Sequence, residues 1–324
     1  LAEQTHLSVS TLNEPLRKIV GKKSLWTRLM EQKVLVAMSV PFLIWLFIFK
    51  YLPIWGWTIA FQEFKPAKDI LDQKWVGFDN FKALFMDEAF YRVMRNTFAM
   101  SAINLVLGFV TAIALAILLN ELRKMWFKKA VQTISYLPHF ISWVVAASII
   151  SNALSTDDGI INTVMLKLHL INEPILWLAN GNYFWGIIGI SEVWKNVGWN
   201  TIIYLAAMTM IDPALYEAAE MDGANRWKRI IHITLPGLKP VIIILLIMNL
   251  GHILESGFEP QYLLGNGLTA DFSENLDIFV LKYGISMGRF SFATAAGIFK
   301  TVVSFIFLFT ANHIAKRLGQ ERLF

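Results

Sequence analysis

The chain of 324 residues is 56% hydrophobic and only 16% charged, with 12 tryptophans and 24 phenylalanines. A soluble domain sits nearer half apolar and a quarter charged, so this composition points to lipid. The net charge of +5 forms no basic stripe suited to nucleic acid, and with 0 cysteines neither a disulfide framework nor a thiolate metal site can form.

Six stretches are apolar enough to cross a hydrocarbon core, which takes about twenty residues each. The first runs from Val34 to Phe49 and can extend to Phe61. The next three are Thr97 to Leu119, Val131 to Leu154 and Phe184 to Met210. The last two are Val241 to Leu254 and Phe292 to Ile314. The fifth is short by itself, with Leu235 to Pro240 expected as its entry turn. The polar residues before span one carry no small-residue cleavage site, so it reads as a span and not a signal peptide. The expected fold class is an all-α integral membrane protein with six transmembrane helices. Its parts are an N-terminal segment (1–33), the first span with an external loop (34–96), a transmembrane core (97–314) and a tail (315–324).

Lys and Arg set the orientation. Arg17, Lys18, Lys22, Lys23, Arg28 and Lys33 precede span one, and Arg123, Lys124, Lys128 and Lys129 follow span two. Arg226, Lys228, Arg229 and Lys239 follow span four, and Lys316, Arg317 and Arg322 end the chain. These are seventeen on one side against nine on the other, which predicts that both termini and the loop 212–237 are cytoplasmic. The external loops mix aromatic and acidic residues with glycine turns, and Trp75 to Phe81 is expected to fold against the membrane face.

The loop 212–237 holds the densest pattern. It reads Glu217-Ala218-Ala219, then Gly223 after three residues, Ile233 after nine more, and Leu235-Pro236. At residue usages of about a tenth or less, seven identities at fixed gaps arise by chance on the order of 1e-8 per starting position. An ordinary interfacial hairpin explains the shape but not that coincidence. Asp212 can cap a helix beginning at Pro213 and running through Asp222, and Gly223 can take the left-handed conformation that ends it. Ala214, Ala218 and Met221 share a face where small side chains admit another surface. Asn225 can start a second helix with Trp227, Ile230 and Ile231 inward, and Pro236 marks its end.

Polar residues inside the spans are candidates for a transport path, because burying them in lipid is costly. Span four holds Glu192, Lys195, Asn196 and Asn200 interleaved with Trp194 and Trp199, and Glu192, Asn196 and Trp199 share a face. Span five offers Asn249, His252, Ser256 and Glu259. Aromatic rings beside amides suit a sugar, with hydroxyls to bond and C–H faces to stack. The same residues can equally bond helix to helix, or Glu192 to Lys195. His139 and His232 read as lone histidines without metal-ligand spacing, and Lys50 and Lys300 as snorkelling or paired. Enzyme chemistry finds no H-E-x-x-H, no G-x-S-x-G and no cysteine nucleophile. Gly21-Lys22-Lys23-Ser24 lacks the first glycine of a phosphate loop. A secondary transporter coupled through the charges of span four is the rival reading, although the spans show no inverted repeat.

The Glu217 loop resembles that by which membrane subunits of binding-protein-dependent ABC importers grip their ATPase. The six-span order and cytoplasmic termini are similar to that family's minimal permease. Tyr136-Leu137-Pro138-His139-Phe140-Ile141-Ser142 resembles its carbohydrate-uptake branch, and Tyr51 to Gly56 with Trp75 to Phe81 its poly- and oligosaccharide members. The likeness runs from about Lys33 to the C-terminus and implies the type I importer fold. It implies Glu217, Ala218, Ala219, Asp222, Gly223, Ile233, Leu235 and Pro236 as the coupling loop. It implies import of a sugar such as alginate or a similar acidic saccharide across the bacterial inner membrane. The partners implied are a homologous second permease, two ATPase subunits that hold ATP and magnesium, and an external solute-binding protein. This chain itself binds no cofactor under that reading.

Overall fold

A computed structural model describes residues 24–319. Arg17, Lys18, Gly21, Lys22, Lys23 and Arg322, used above for orientation and the phosphate-loop comparison, lie outside the described residues. The chain divides into two units after Thr58. The first holds helices α1 (Leu25–Glu31) and α2 (Lys33–Leu46). From α2 the chain continues through a π-helical turn (Phe47–Tyr51) into a 3-10 helix (Leu52–Phe61), 29 residues of helix in all. α2 buries none of its residues, as fits a helix apolar on every side and facing lipid.

The second unit opens on strands β1 (Gln62–Glu63) and β2 (Lys74–Trp75), antiparallel with Gln62 opposite Trp75. Helix α3 (Asp79–Met86) folds back on them, where Asn80 Nδ2 donates to the carbonyls of Ala60 and Gln62 at 2.9 and 3.2 Å. Phe61 stacks on Trp75 at 5.7 Å and meets Phe78 and Phe81 edge-on or tilted, so the Trp75 to Phe81 segment forms an aromatic cluster. Helix α4 (Glu88–Glu121) follows, capped by Asp87, whose side chain accepts from the Ala89 N–H.

The third expected span, Val131 to Leu154, is not one helix. α5 (Met125–Tyr136) runs through a 3-10 turn (Leu137–Phe140) and then bends by 105° into α6 (Trp143–Ala153). The local cause is in the sequence. Pro138 supplies no N–H, and Ser142, extended at φ −66° and ψ 155°, starts a new helix by accepting from the Val145 N–H. A short helix α7 (Ile160–Lys167) leads to α8 (Gly181–Met208), and α9 (Pro213–Met221) leaves α8 at 75°.

The fifth span also differs from expectation. α10 (Arg226–Arg229), a π-helical turn (Ile230–Thr234) and α11 (Leu235–Gly251) form 26 residues of continuous helix, with Pro236 and Pro240 inside it. Leu235 to Pro240 is therefore helix and not an entry turn, and Pro236 marks no bend. Pro236 falls in the first turn of α11, directly after the widened π turn, where a missing N–H is tolerated. The helix stops at Gly251, so Ser256 and Glu259 lie beyond it. Ser256 is buried, and its hydroxyl accepts from Asn275 Nδ2 at 3.1 Å. Short helices α12 (Phe258–Leu264), α13 (Ala270–Ser273) and α14 (Leu276–Leu281) precede α15 (Phe290–Arg317). Among the described residues four helices are long and apolar enough to cross a membrane singly, and counting each of the bent pairs α5/α6 and α8/α9 as one span gives up to six.

α4 and α8 pack through small side chains. Ala112 and Ala116 are fully buried against Tyr204 and Ala207, and the Thr201 hydroxyl reaches across to the Ala112 carbonyl at 3.2 Å. Without a hydrophobic drive between helices in lipid, such close backbone approach supplies the contact energy. Around the N-terminal end of α4, Phe90, Phe279 and Phe292 form a second cluster with Leu254 and Leu276.

Candidate functional site

The motif loop folds as the local chemistry dictates. The Asp212 side chain accepts from the Ala214 N–H at 2.9 Å, Pro213 occupies the first turn of α9, and Gly223 ends it at φ +73°. The Asp222 N–H closes the last turn on the Ala218 carbonyl at 3.0 Å. Two contacts that sequence reasoning did not find hold α9 to the following helix. The Tyr216 hydroxyl lies 3.0 Å from Thr234 Oγ1, and Arg229 donates to Glu220 at 3.1 Å. Ile211, at the corner between α8 and α9, packs on Gly237, where an added Cβ would lie 2.6 Å from its Cδ1.

Glu217, Ala218 and Met221 are exposed, Ala219 and Ile233 are half-buried, and a Cβ at Gly223 would meet nothing within 4 Å. Leu235 is half-buried and Pro236 exposed. α9 thus stands out as a braced knob with one open face. The second helix departs from expectation, because Trp227 and Ile231 point outward and are 72% and 53% exposed. An outward Trp beside Arg226 and Lys228 suits the headgroup level.

The path candidates separate into two groups. Asn200, Asn249 and His252 line one cleft of about 360 Å³ between α4, α8 and α11. Ser101, Asn104 and Glu255 share it, and Phe109 and Tyr204 supply aromatic walls. Sequence reading passed over Ser101 and Asn104, although a serine and an asparagine three residues apart in span two carry the same cost-of-burial signal. Their Oγ and Oδ1 atoms are buried without a hydrogen-bond partner. Asn249 donates to its own helix at the Leu245 carbonyl, and His252 pairs with Glu255 at 3.1 Å. No lysine or arginine lines this cleft among the described residues. Lys300 lines an adjoining pocket that shares His252 and Glu255 with this cleft, and is held by Asp277 at 2.6 Å.

Glu192, Asn196 and Trp199 do share a face, and that face grips the bend in span three. Asn196 donates to Glu192 Oε2 at 2.7 Å, and its Oδ1 lies 3.0 Å from His139 Nδ1. The His139 ring stacks on Trp199, with centroids 4.5 Å apart and planes 4° from parallel. His139 is therefore not a lone histidine but part of a four-residue network. Glu192 and Asn196 also border a smaller void of about 70 Å³ that Asn104 and Asn200 share with the main cleft.

Residues 91–320 match the family of binding-protein-dependent transport system inner membrane components. The chain is 43% identical over 303 residues, 94% of each sequence, to the polygalacturonan/rhamnogalacturonan transport system permease protein YteP of Bacillus subtilis. It is 42% identical over 305 residues to Protein LplB of the same organism, covering 94% of this chain and 95% of that one. Among solved structures it superposes with a TM-score of 0.84 and 40% identity on a chain of a bacterial ABC transporter that imports the acidic polysaccharide alginate. That match covers 91% of this chain and 99% of the other. A bacterial alginate ABC transporter in complex with an alginate pentasaccharide-bound periplasmic protein gives 0.85 and 38%, covering 92% and 99%. With its helical fold, its type I importer architecture and its motif loop, the chain belongs to the binding-protein-dependent inner membrane components as a sugar ABC importer permease.

Proposed function

We propose that this chain forms half of the path by which an ATP-driven importer carries an acidic poly- or oligosaccharide across the bacterial inner membrane. The observation that carries this reading is the cleft of amides, hydroxyl and imidazole at Ser101, Asn104, Asn200, Asn249 and His252, joined through α8 to the open face of α9. A saccharide offers donors and acceptors at each ring, and amides satisfy both. The relatives named for polygalacturonan, rhamnogalacturonan and alginate support an acidic substrate.

Glu217, Ala218, Ala219 and Gly223 present α9 to a separate ATPase, with Asp222, Ile233, Leu235 and Pro236 shaping the loop. ATP and magnesium are held on two such subunits, and this chain is a transport subunit without a nucleotide site of its own. A homologous second permease closes the path, a solute-binding protein delivers the sugar from outside, and both termini are cytoplasmic. Among the described residues no lysine or arginine lines the cleft, so the cleft addresses hydroxyls and ring faces.

The test is uptake of oligogalacturonate into cells or proteoliposomes. Uptake that collapses on ATP depletion and survives an uncoupler supports the importer. Uptake that survives ATP depletion and collapses with the uncoupler overturns it in favour of ion coupling.

A further inference from the structure

Lys195 is the least expected side chain in the bundle. It sits mid-way along α8, is 6% exposed, and makes no salt bridge among the described residues, while Glu192 one turn back on the same helix attracts it without contact. A buried ammonium without a contacting anion needs other acceptors, since taking a charge out of water is costly. Its acceptors are the carbonyls that the broken third span leaves open. Nζ donates to His139 O at 2.9 Å and Ile141 O at 2.7 Å, with Pro138 O at 3.4 Å, and lies 5.5 Å from the Trp143 ring centroid. A helix C-terminus carries partial negative charge on such carbonyls and favours a cation there. The same ammonium thus stabilises the break and fastens it to α8.

The neighbours on α8 reinforce that attachment. His139 stacks on Trp199 and bonds Asn196, which bonds Glu192. Gly198 lies so close to α5 that an added Cβ would be 2.2 Å from the Ser135 carbonyl oxygen. Residues 192–199 of α8 therefore hold 135–143 by charge, hydrogen bonds, ring stacking and backbone contact. Thirteen residues on from Trp199, Asp212 begins the cap of α9, so one stretch of chain carries both the bend and the knob.

We propose that Lys195 is a positioning residue for transport: it pins the bend of span three to α8, so that displacement of α9 moves the bend as one body. This rests on the reading of α9 as the ATPase-docking helix. Without the pin, α9 can move and α8 with it, while the open carbonyls of 138–141 seek water and the bend lags.

The experiment uses the assembled importer with its ATPase and binding protein, in proteoliposomes, with cysteines replaced in the other subunits. Spin labels are placed through Val144→Cys on α6 and Met210→Cys at the α8–α9 corner, both outward at 65% and 85% exposure. In the otherwise native permease the label distance is expected to stay the same between the nucleotide-free and vanadate-trapped states. In Lys195→Met it is expected to shift or broaden on trapping. Stimulation of hydrolysis by oligogalacturonate-loaded binding protein should fall about tenfold in that variant, within the usual range of coupling energies, while the ATPase still co-purifies. Should Lys195→Met fail to assemble, Lys195→Gln, which keeps two donors without the charge, carries the same comparison. A distance that changes on trapping with Lys195 in place overturns the proposal. So does a Lys195→Met complex that only melts lower, with stimulation and label distance unchanged. Gly223→Pro, run alongside, tests the docking reading separately: normal ATPase co-purification there overturns that reading, while the label distance still decides the pin.

Discussion

Asn200 and Asn196 lie one helical turn apart on α8 and answer different questions. Asn200 borders both voids of the path and makes no hydrogen bond to the protein among the described residues. Asn196 makes two, to His139 at 3.0 Å and to Glu192 at 2.7 Å. Asn200→Ala removes no internal bond, and the cleft is wide enough for water to fill, so detergent melting should be nearly unchanged. The sugar loses one hydrogen bond, worth about 0.5–1.5 kcal/mol, which is a two- to thirteenfold weakening of apparent affinity at constant expression. Asn196→Ala strips a buried carboxyl and an imidazole of their shared partner. Bonds between helices in lipid average about 0.6 kcal/mol and reach about 1.7, so melting should drop measurably. Uptake of labelled oligogalacturonate and detergent melting are measured on the same preparations. Asn200→Ala that melts lower than the parent, with unchanged uptake per folded complex, refutes the assignment of Asn200 to the path.

Gly223→Ala forces a side chain into φ +73°, at about 1–2 kcal/mol, but meets no neighbour, so the penalty stays at the end of α9. ATPase co-purification should fall while membrane insertion holds, and unchanged co-purification counts against α9 as the docking helix. The chain's lack of native cysteines permits a topology test. Cysteines at the exposed positions Leu71, Asp158 and Leu268 should react with an impermeant reagent from outside, and those at Lys124 and Asn225 only after the membrane is opened. Labelling of Asn225 in intact spheroplasts reverses the orientation. Because no lysine or arginine among the described residues lines the cleft, the loss on Asn200→Ala should be equal for oligogalacturonate and its carboxyl-reduced form. A loss confined to the acidic sugar shows that this half reads charge after all.

The sequence was most legible where one residue type has one physical use. Asp212, Pro213 and Gly223 announce a cap, a first turn and a left-handed stop, and the helix between them has those bounds. Apolar length located the spans but not their starts, since α4 begins nine residues before Thr97 and the helix that ends as α11 begins fifteen before Val241. The bend in span three was written in Pro138 and Ser142, but the apolar stretch from Val131 to Leu154 outweighs one proline when hydropathy alone is summed. Pro236 shows the opposite error, since a proline in a first turn costs little and the helix runs through it. Among polar residues the sequence marks those that avoid lipid without saying which neighbour satisfies them. Lys195 and Asn196 turn to the break, Asn200 to the cleft and Ser256 to Asn275, and only the packing of α4, α8 and α11 separates them. Tyr216–Thr234 and Glu220–Arg229 were out of reach because each joins elements across a turn whose angle no local rule sets.

The contact of Gly198 with the Ser135 carbonyl restricts the geometry of any motion between α5 and α8. At that crossing nothing separates the two backbones, and the flanking positions on α8 are Val197 and Trp199. A slide of either helix along the other would drive a branched or bicyclic side chain into a peptide oxygen. A swivel about the crossing would instead pull Lys195 from the His139 and Ile141 carbonyls and unstack His139 from Trp199. The crossing is therefore a locked joint, closed to sliding by backbone contact and to turning by side chains. Labels across Gly198 should accordingly report a constant separation through the transport cycle.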